Sequence, residues 1–318
     1  MWPFVHHSQA NWPPEVATSL EDLLRFEWLV SSRKILPDYP VYSLLAGRHA
    51  SKLRGRGLDF EEVRQYVAGD DIRNIDWRVT ARTGTTHSKV FNEEKERPSF
   101  LVVDQCSHMF FGSVRFMKSV TAVHAAALAA FYTIKRGDRI GGLVFSDTEK
   151  DFVAPRRSKA LVQHLLQVMV NRNRQLPQQR HGNQSIERLN EMLYFTLNTV
   201  THDYVICVIS DFSRINADTM RLLQQLASHN DVILNHVYDP LEENLPPGKL
   251  LLTDGRRQIA WNNKRRNWGE KFSADFQQWK RQFSEAFRHS RVPVVFLSTA
   301  TPVEDQIKFN LATTRQHG

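Results

Sequence analysis

The chain has 318 residues, of which 41% are hydrophobic and 24% charged, a composition that suits one large globular domain, alone or with an appendage. No apolar run approaches the ~18–20 residues that cross a bilayer, and "MWPFVHHSQANWPPE" at the start lacks the charged and apolar segments of a secretory signal. Cys106 and Cys207 are too few for a disulfide framework, so a cytoplasmic protein with reduced thiols is expected.

The formal net charge is +8, and the basic excess is concentrated near the C-terminus. Residues 255–291 contain ten Lys and Arg against three Asp and Glu. Such a stretch could bind nucleic acid, an anionic surface or an acidic protein. No zinc-finger spacing or RNA-binding aromatic signature accompanies it, so a solvated basic helix face is the favoured interpretation and nucleic acid is not the expected partner.

The first third of the chain has little regular pattern. Residues 1–40 contain one short helix candidate, "SLEDLLRFEWLVS", whose acidic residues come early, as a helix N-terminus favours. Residues 41–99 are polar and rich in Gly and Arg, with short strand-like pieces such as "HSKVFNEE". We therefore assign residues 1–99 to an irregular, β-rich extension that begins with a helix.

From residue 100 onward, strands alternate with helices. The strand candidates are "SFLVVD", "RGDRIGGLVFSD", "DYVICVISDF", "DVILNHVYDP" and "VPVVFLST". Continuous apolar strands are typical of a sheet that is buried on both faces. The alternation predicts an α/β domain over residues 100–318 with a doubly wound, mostly parallel sheet.

Two smaller patterns lie in the last quarter of the chain. Asp254-Gly255 separates two strand-like runs and predicts a hairpin. An aromatic stripe with helical spacing runs through residues 269–288 and indicates a helix face that packs in the core. Its members are Phe272, Phe276, Trp279, Phe283 and Phe287.

Two predicted strands are followed directly by an aspartate, Asp104 after "FLVV" and Asp211 after "VICVIS". In open parallel sheets, ligands bind beyond the carboxyl ends of the strands, where the strand order reverses. Two carboxylates at that edge could form a divalent-cation site. The alternative is that each aspartate only caps the following helix or turns the loop.

The usual motifs of enzymes are missing: the chain has no phosphate-binding loop, nucleophile elbow or H-E-x-x-H. An enzyme remains an alternative, as a metal-dependent hydrolase built on Asp104 and Asp211 with His108 as acid and base. A nucleophilic pair of Cys106 and His108 is also conceivable, although nothing else suggests hydrolysis. A protein without catalytic activity is expected.

Charged residues of both signs are densest in "FEEVRQYVAGDDIRNIDWRVTAR", residues 60–82. Arg–carboxylate pairs are directional, and aromatic residues with a polar tip can act as anchors. The segment is either a polar network whose charged groups pair with one another and hold an irregular stretch of chain on the sheet domain, or a surface on which a partner docks. The residues that carry either role are Tyr66, Asp70, Asp71, Arg73, Asp76, Trp77 and Arg82.

The segment "GRGLDFEEVRQYVAGDDIRNIDWRVTAR", then "VVD", "VISDF" and "VYDPLEENLPPGKLLLTD", resembles the bacterial domain-of-unknown-function 58 family over residues 45–260. The core from Tyr66 to Arg82 is its most specific part. The resemblance implies a von Willebrand factor A-type, Rossmann-like domain with an N-terminal extension. It also implies an adaptor or co-chaperone that helps a MoxR-type AAA+ ATPase act on a client protein.

The resemblance further implies a metal-ion-dependent adhesion site, which consists of D-x-S-x-S after one strand, a threonine from a second loop and an aspartate from a third. Asp104 and Asp211 stand at the two aspartate positions. Asn183, or Ser185 in a shifted register, stands where the threonine is expected.

Cys106 and His108 occupy the positions of the two serines in this pattern. A thiol and an imidazole are poor ligands for a hard cation such as Mg²⁺. We therefore expect a degenerate site that holds Mg²⁺ weakly or not at all. Zn²⁺ bound by the two aspartates with Cys106 and His108 is the lesser alternative.

Overall fold

The computed structural model describes residues 12–32, 58–93, 97–178, 186–246, 248–253, 258–263, 266–290 and 292–306. The chain divides into two compact units, Met1–Ala46 with Pro98–Gly318 (the sheet unit) and Gly47–Arg97 (the motif unit). This division differs from the predicted boundary at residue 99, because the N-terminal helix belongs to the sheet unit.

The strands of the described residues are β1 (Leu58–Gln65), β2 (His87–Glu93), β3 (Ser99–Asp104), β4 (Ile140–Phe145), β5 (Lys150–Arg156), β6 (Val205–Ser210), β7 (Asp231–Tyr238), β8 (Gly248–Thr253), β9 (Gln258–Asn263) and β10 (Val294–Ser298).

The helices of the described residues are α1 (Leu20–Ser31), α2 (Trp77–Thr83), α3 (Lys118–Lys135), α4 (Lys159–Gln175), α5 (Ile186–Thr199), α6 (Ala217–Ala227), α7 (Pro240–Glu243) and α8 (Arg266–Ala286), with 3-10 turns at Ile72–Asn74, Ser107–Met109 and Leu176–Gln178. Among the described residues, no helix is both long enough and apolar enough to span a membrane.

The main sheet has six strands in the order β10-β7-β6-β3-β4-β5. Neighbouring strands are parallel except for β5, which runs antiparallel to β4. This is the doubly wound order of Rossmann-like folds, in which the chain moves outward from the centre first to one side and then to the other. The predicted doubly wound, mostly parallel sheet is confirmed.

Strand β5 has no counterpart in the sequence prediction, and its position at the sheet edge explains why. Its burial alternates along the strand, and it contains Pro155, which cannot donate a ladder hydrogen bond and is tolerated at an edge. The pairing with β4 is irregular between Ile140 and Gly142. A Cβ on Gly141 would lie 2.6 Å from backbone atoms of Pro155 and Val153, so this close approach requires glycine.

Two hydrophobic layers cover the two faces of the sheet, as expected for strands that are apolar throughout. On one face α1, the alanine-rich α3 and α4 pack against β3, β4 and β6. On the other face α5, α6 and α8 contribute apolar side chains. The aromatic stripe of α8 is confirmed as a core face at Phe283 and Phe287, which are buried, whereas Phe272 is partly exposed.

Helix α1 belongs to the first layer because its apolar residues share one face. Ser19 and Asp22 form a capping box at its N-terminus, as the early acidic residues predict. Leu23, Phe26 and Val30 are buried against the layer. The backbone N–H of Thr18 donates to the side chain of Asn173 on α4 at 2.9 Å and fixes the approach to the helix.

Two antiparallel pairs of described strands lie outside the main sheet. In the motif unit β1 pairs with β2, with a register shift between Phe60 and Glu62. In the sheet unit β8 pairs with β9 from Gly248 opposite Asn263 to Thr253 opposite Gln258. The predicted hairpin pairing is confirmed, and its turn residues lie outside the described ranges.

The packing of α1 generates a stability prediction. Phe26→Ala removes a fully buried ring and should lower the free energy of unfolding by about 3–5 kcal/mol. Trp28→Ala on the same helix removes a side chain that is 64% exposed and should change the free energy of unfolding by less than about 0.5 kcal/mol. Urea unfolding of both variants measures the difference, and equal effects would contradict the docking of α1.

Candidate functional site

The candidate site lies at the carboxyl edge of the main sheet, between its two central strands. Asp104 is the last residue of β3, and Asp211 follows the last residue of β6. These neighbouring strands lead in opposite directions along the sheet, β3 toward β4 and β6 toward β7, so the site is at the switch point of the strand order. Both carboxylates are buried, and the predicted pair is brought together.

Asp104 is held by bonds to three neighbours. Its Oδ1 accepts a hydrogen bond from the backbone N–H of Cys106 at 2.9 Å. Its Oδ2 accepts one from the hydroxyl of Ser210 at 2.6 Å and lies 3.2 Å from Nε2 of His108. Burial alone would raise the pKa of Asp104, but His108 and the hydrogen-bond donors outweigh it, and the pKa is below its ordinary value.

Asp211 is held in the same manner. Its Oδ1 accepts hydrogen bonds from the backbone N–H and the hydroxyl of Ser213 at 3.1 and 3.0 Å. The same oxygen lies 3.6 Å from Nε2 of His108, and Oδ2 lies 3.3 Å from Nζ of Lys118. Burial opposes ionisation here too, but the two cationic side chains lower the pKa of Asp211 to about 2.

His108 therefore bridges the two aspartates. It lies on the 3-10 turn that follows β3, four residues after Asp104. Burial would lower the pKa of its imidazole, but Asp104 and Asp211 raise it to about 9. At neutral pH the ring is an imidazolium, with both partners ionised.

Lys118 is the second cation of the site and was not recognised in the sequence analysis. It is the first residue of α3, is 2% exposed, and forms ion pairs with Asp211 and with Glu242 of α7. Burial would lower the pKa of its ammonium group, but the two carboxylates raise it. A polar residue at the start of an alanine-rich helix is the one sequence signal, and it does not reveal partners 93 and 124 residues away.

Cys106 lies beside Asp104 but does not act as an anionic ligand. Its thiol is buried, and burial together with Asp104 and Asp147 raises its pKa far above the ordinary range. It therefore stays protonated. Cys207, on β6, is also buried, with a pKa raised by burial to about 12, and its Sγ accepts a hydrogen bond from Asn235. Neither thiol has the ionised character of a reactive cysteine.

A small cleft opens beside the aspartates, with a volume of about 30 Å³. His108, Asp147, Arg188, Ser213 and Arg214 contribute to its lining. Asp147 accepts hydrogen bonds from the backbone N–H of Ser107, and Arg188 donates to the carbonyl oxygen of Ser146. This volume has space for about two or three water molecules.

The donor set does not fit the Mg²⁺ ion that the resemblance implies. A protonated thiol and an imidazolium stand where two hydroxyls are expected, and an ammonium group lies against Asp211. The ligand atoms of Asp104, Cys106 and His108 lie within 4.8 Å of one another, which is close enough for a softer ion. Such an ion would bind through a thiolate and a neutral imidazole, so its binding would have to displace a proton from Cys106 and from His108. Asn183 and Ser185 lie outside the described residues.

In the motif unit, Asp70, Asp71 and Asp76 contact nearby groups of the same unit. Asp70 accepts from Arg64 at 2.8 Å and from the N–H of Val67 at 3.1 Å. Asp71 accepts from the backbone and side chain of Arg73. Asp76 caps α2 by accepting from the N–H groups of residues 78 and 79 at 3.0 and 3.1 Å.

The other predicted residues of this segment differ in exposure. Tyr66 is half-buried, and its backbone N–H donates to the carbonyl of Thr86 at 2.8 Å. Trp77 is 70% exposed, and Arg82 is exposed on the same helix. The acids are satisfied within the segment, whereas its largest aromatic side chain faces solvent.

The raised pKa of His108 generates a prediction about stability and pH. Its pKa is about 9 when folded and 6.5 ordinarily, so its contribution is complete below pH 6.5 and is lost as the pH rises through 9. The free energy of unfolding should therefore fall by about 3 kcal/mol over this range. His108→Asn should abolish most of that fall, whereas His202→Asn at the exposed surface should retain it. Parallel curves for His108→Asn and the wild type, from urea titrations at each pH, would contradict the bridging role.

Comparison with known proteins places the chain among relatives of its own size. A family described as "Protein of unknown function DUF58" matches residues 62–282. Uncharacterized proteins of Mycobacterium tuberculosis and Mycobacterium bovis are 30% identical over an alignment of 227 positions, which covers 68% of this chain and 67% of theirs.

The solved structures with some likeness to this chain include domains described as von Willebrand A. BatB from Bacteroides thetaiotaomicron has a TM-score of 0.41 and 11% identity, covering 69% of this chain and 99% of its own. The SpRpn10 VWA domain has a TM-score of 0.37 and 10% identity, covering 68% and 95%. The strand order, with its antiparallel edge strand, gives the von Willebrand A-like fold class. The family match and the identity to the mycobacterial proteins show that the chain belongs to the DUF58 family.

Proposed function

We propose that this protein is a protein-interaction adaptor or co-chaperone of the cytoplasm that works with a MoxR-type AAA+ ATPase and helps it act on a client protein. The observation that carries the proposal is the exposure of large apolar side chains in the motif unit. Val67, Ile72 and Trp77 are each more than half exposed, and they fall within the segment that is most specific to the family resemblance.

Contiguous exposed apolar surface marks partner-binding sites, whereas scattered apolar side chains are ordinary, so the proposal takes these three residues as one docking surface. The aspartates of the segment are occupied as caps and local pairs, so their charges are balanced close by. Arg78 and Arg82 are exposed on α2, the helix that begins at Trp77, and they lie one helical turn apart. Tryptophan and arginine are the residues that most often dominate binding energy at interfaces. A partner with an apolar pocket and an acidic rim would complement this combination.

The hydrolase alternative has less support from the geometry. His108 is an imidazolium with both carboxylates as partners, so it is not a free base at neutral pH. Each carboxylate oxygen of Asp104 and Asp211 already has a partner within the protein. These features favour a role without catalysis.

Nucleic-acid binding through residues 255–291 is the other alternative. In the described part of this stretch, Lys280 lies 3.7 Å from Glu243 and 4.5 Å from the ring centroid of Tyr238, so that cation is engaged within the protein. If the stretch bound nucleic acid, a gel shift would appear at low salt and weaken steeply as salt rises. We expect no salt-dependent shift.

Trp77 provides the most direct test of the adaptor proposal. Trp77→Ala should weaken binding to the MoxR-type ATPase of the same organism at least tenfold, because an exposed aromatic anchor is lost. Trp28→Ala is the matched control, since that tryptophan is 64% exposed but lies on α1 of the sheet unit. The Trp28→Ala variant should bind the ATPase as tightly as the wild type does. Biolayer interferometry with immobilised ATPase would measure both, with circular dichroism as a check of folding.

Two results would overturn the proposal. One is the absence of any binding between the wild-type protein and the ATPase in the presence of ATP. The other is an equal loss of affinity in the two tryptophan variants, which would show that the motif unit does not provide the docking surface.

A further inference from the structure

We infer that His108 and Lys118 supply the positive charge at the switch point of the sheet, in the place where the resemblance implies a divalent cation, so that this edge works without a metal. All the residues involved belong to the sheet unit, so this arrangement is independent of which partner the protein binds.

Every carboxylate oxygen of Asp104 and Asp211 already has a partner within the protein. One oxygen of Asp104 accepts from the Cys106 backbone, and the other from Ser210 and His108. The Asp211 oxygens are taken up by Ser213 with His108 and by Lys118. A hard cation needs free oxygens at about 2.0–2.6 Å, and it would have to displace these donors to obtain them.

His108 occupies the bridging position itself. Its Nε2 lies 3.2 Å from Asp104 and 3.6 Å from Asp211, so one atom contacts both carboxylates as a bound cation would. The ring is brought there by the 3-10 turn of residues 107–109, which starts directly after Cys106. The replacement of the expected serine by histidine therefore removes a ligand and adds a charged group in one change.

Lys118 is placed where a lysine is otherwise unfavourable. Its side chain is almost fully buried, and it stands at the first position of α3, where the helix dipole disfavours a cation. Asp211 and Glu242 compensate for both effects by direct ion pairs. A Mg²⁺ ion against Asp211 would lie close to this ammonium group and would be repelled by it.

The test removes the internal cations and asks whether a metal takes their place. Cys106→Ser with His108→Ser restores the D-x-S-x-S pattern, and adding Lys118→Met removes the second cation with little change in volume. In thermal unfolding, this triple variant should gain several degrees of Tm in 10 mM MgCl₂, because an ion that binds only the folded state stabilises it. The wild type should shift by less than one degree, and isothermal titration should detect heat of Mg²⁺ binding only in the variant.

Lys135→Met is the matched control, since Lys135 lies at the other end of α3 and donates to the carbonyl of Val30. It should respond to Mg²⁺ as the wild type does. A triple variant that folds only in Mg²⁺ would support the inference as clearly as a rise in Tm. A variant that remains unfolded or unresponsive at all Mg²⁺ concentrations would overturn it.

The wild-type protein provides an independent test that needs no variant. After dialysis against EDTA and then against equal concentrations of Mg²⁺ and Zn²⁺, it should retain neither ion at stoichiometric amounts. Retention of one equivalent of either ion, lost in Asp104→Asn, would overturn the inference. Zinc retained in this way would assign Cys106 and His108 as ligands instead.

Discussion

The structure depends on the neutralisation of two buried carboxylates at the centre of its sheet. Asp104 and Asp211 end neighbouring strands and cannot both remain ionised there without positive charge nearby. His108 and Lys118 provide that charge from the loop after β3 and from the start of α3. His108 lies on the turn after β3 and Lys118 at the start of α3, and both contact Asp211, which follows β6. These ion pairs therefore also hold the three elements together.

A further buried carboxylate extends the same arrangement toward the edge of the sheet. Asp239, directly after β7, accepts hydrogen bonds from the N–H of Ser113 at 2.9 Å and from the hydroxyl of Thr299 at 2.6 Å. It also caps α7, which carries the Glu242 partner of Lys118. Polar side chains thus join the ends of β3, β6, β7 and β10.

The fold could be predicted from local patterns, whereas the site could be predicted only in part. The continuous apolar runs at β3, β6 and β7 indicate a buried parallel sheet, and the two strand-end aspartates mark its switch point. Strand β5 was missed because Pro155 and an alternating pattern obscure an edge strand. Lys118 was missed because its partners are distant in sequence, and the position of α1 depends on a bond between residues 155 apart. Ion pairs between residues that are distant in the chain leave no repeating pattern in the sequence, so they cannot be predicted from it.

A crystal structure of the wild-type protein grown in 10 mM MnCl₂ would test the central claim most directly. Mn²⁺ prefers the same oxygen ligands as Mg²⁺ and is located by its anomalous scattering. The account predicts no anomalous peak between Asp104 and Asp211, with Nε2 of His108 and Nζ of Lys118 in contact with the carboxylates. An anomalous peak within 2.5 Å of both aspartates, with His108 or Lys118 displaced, would contradict it.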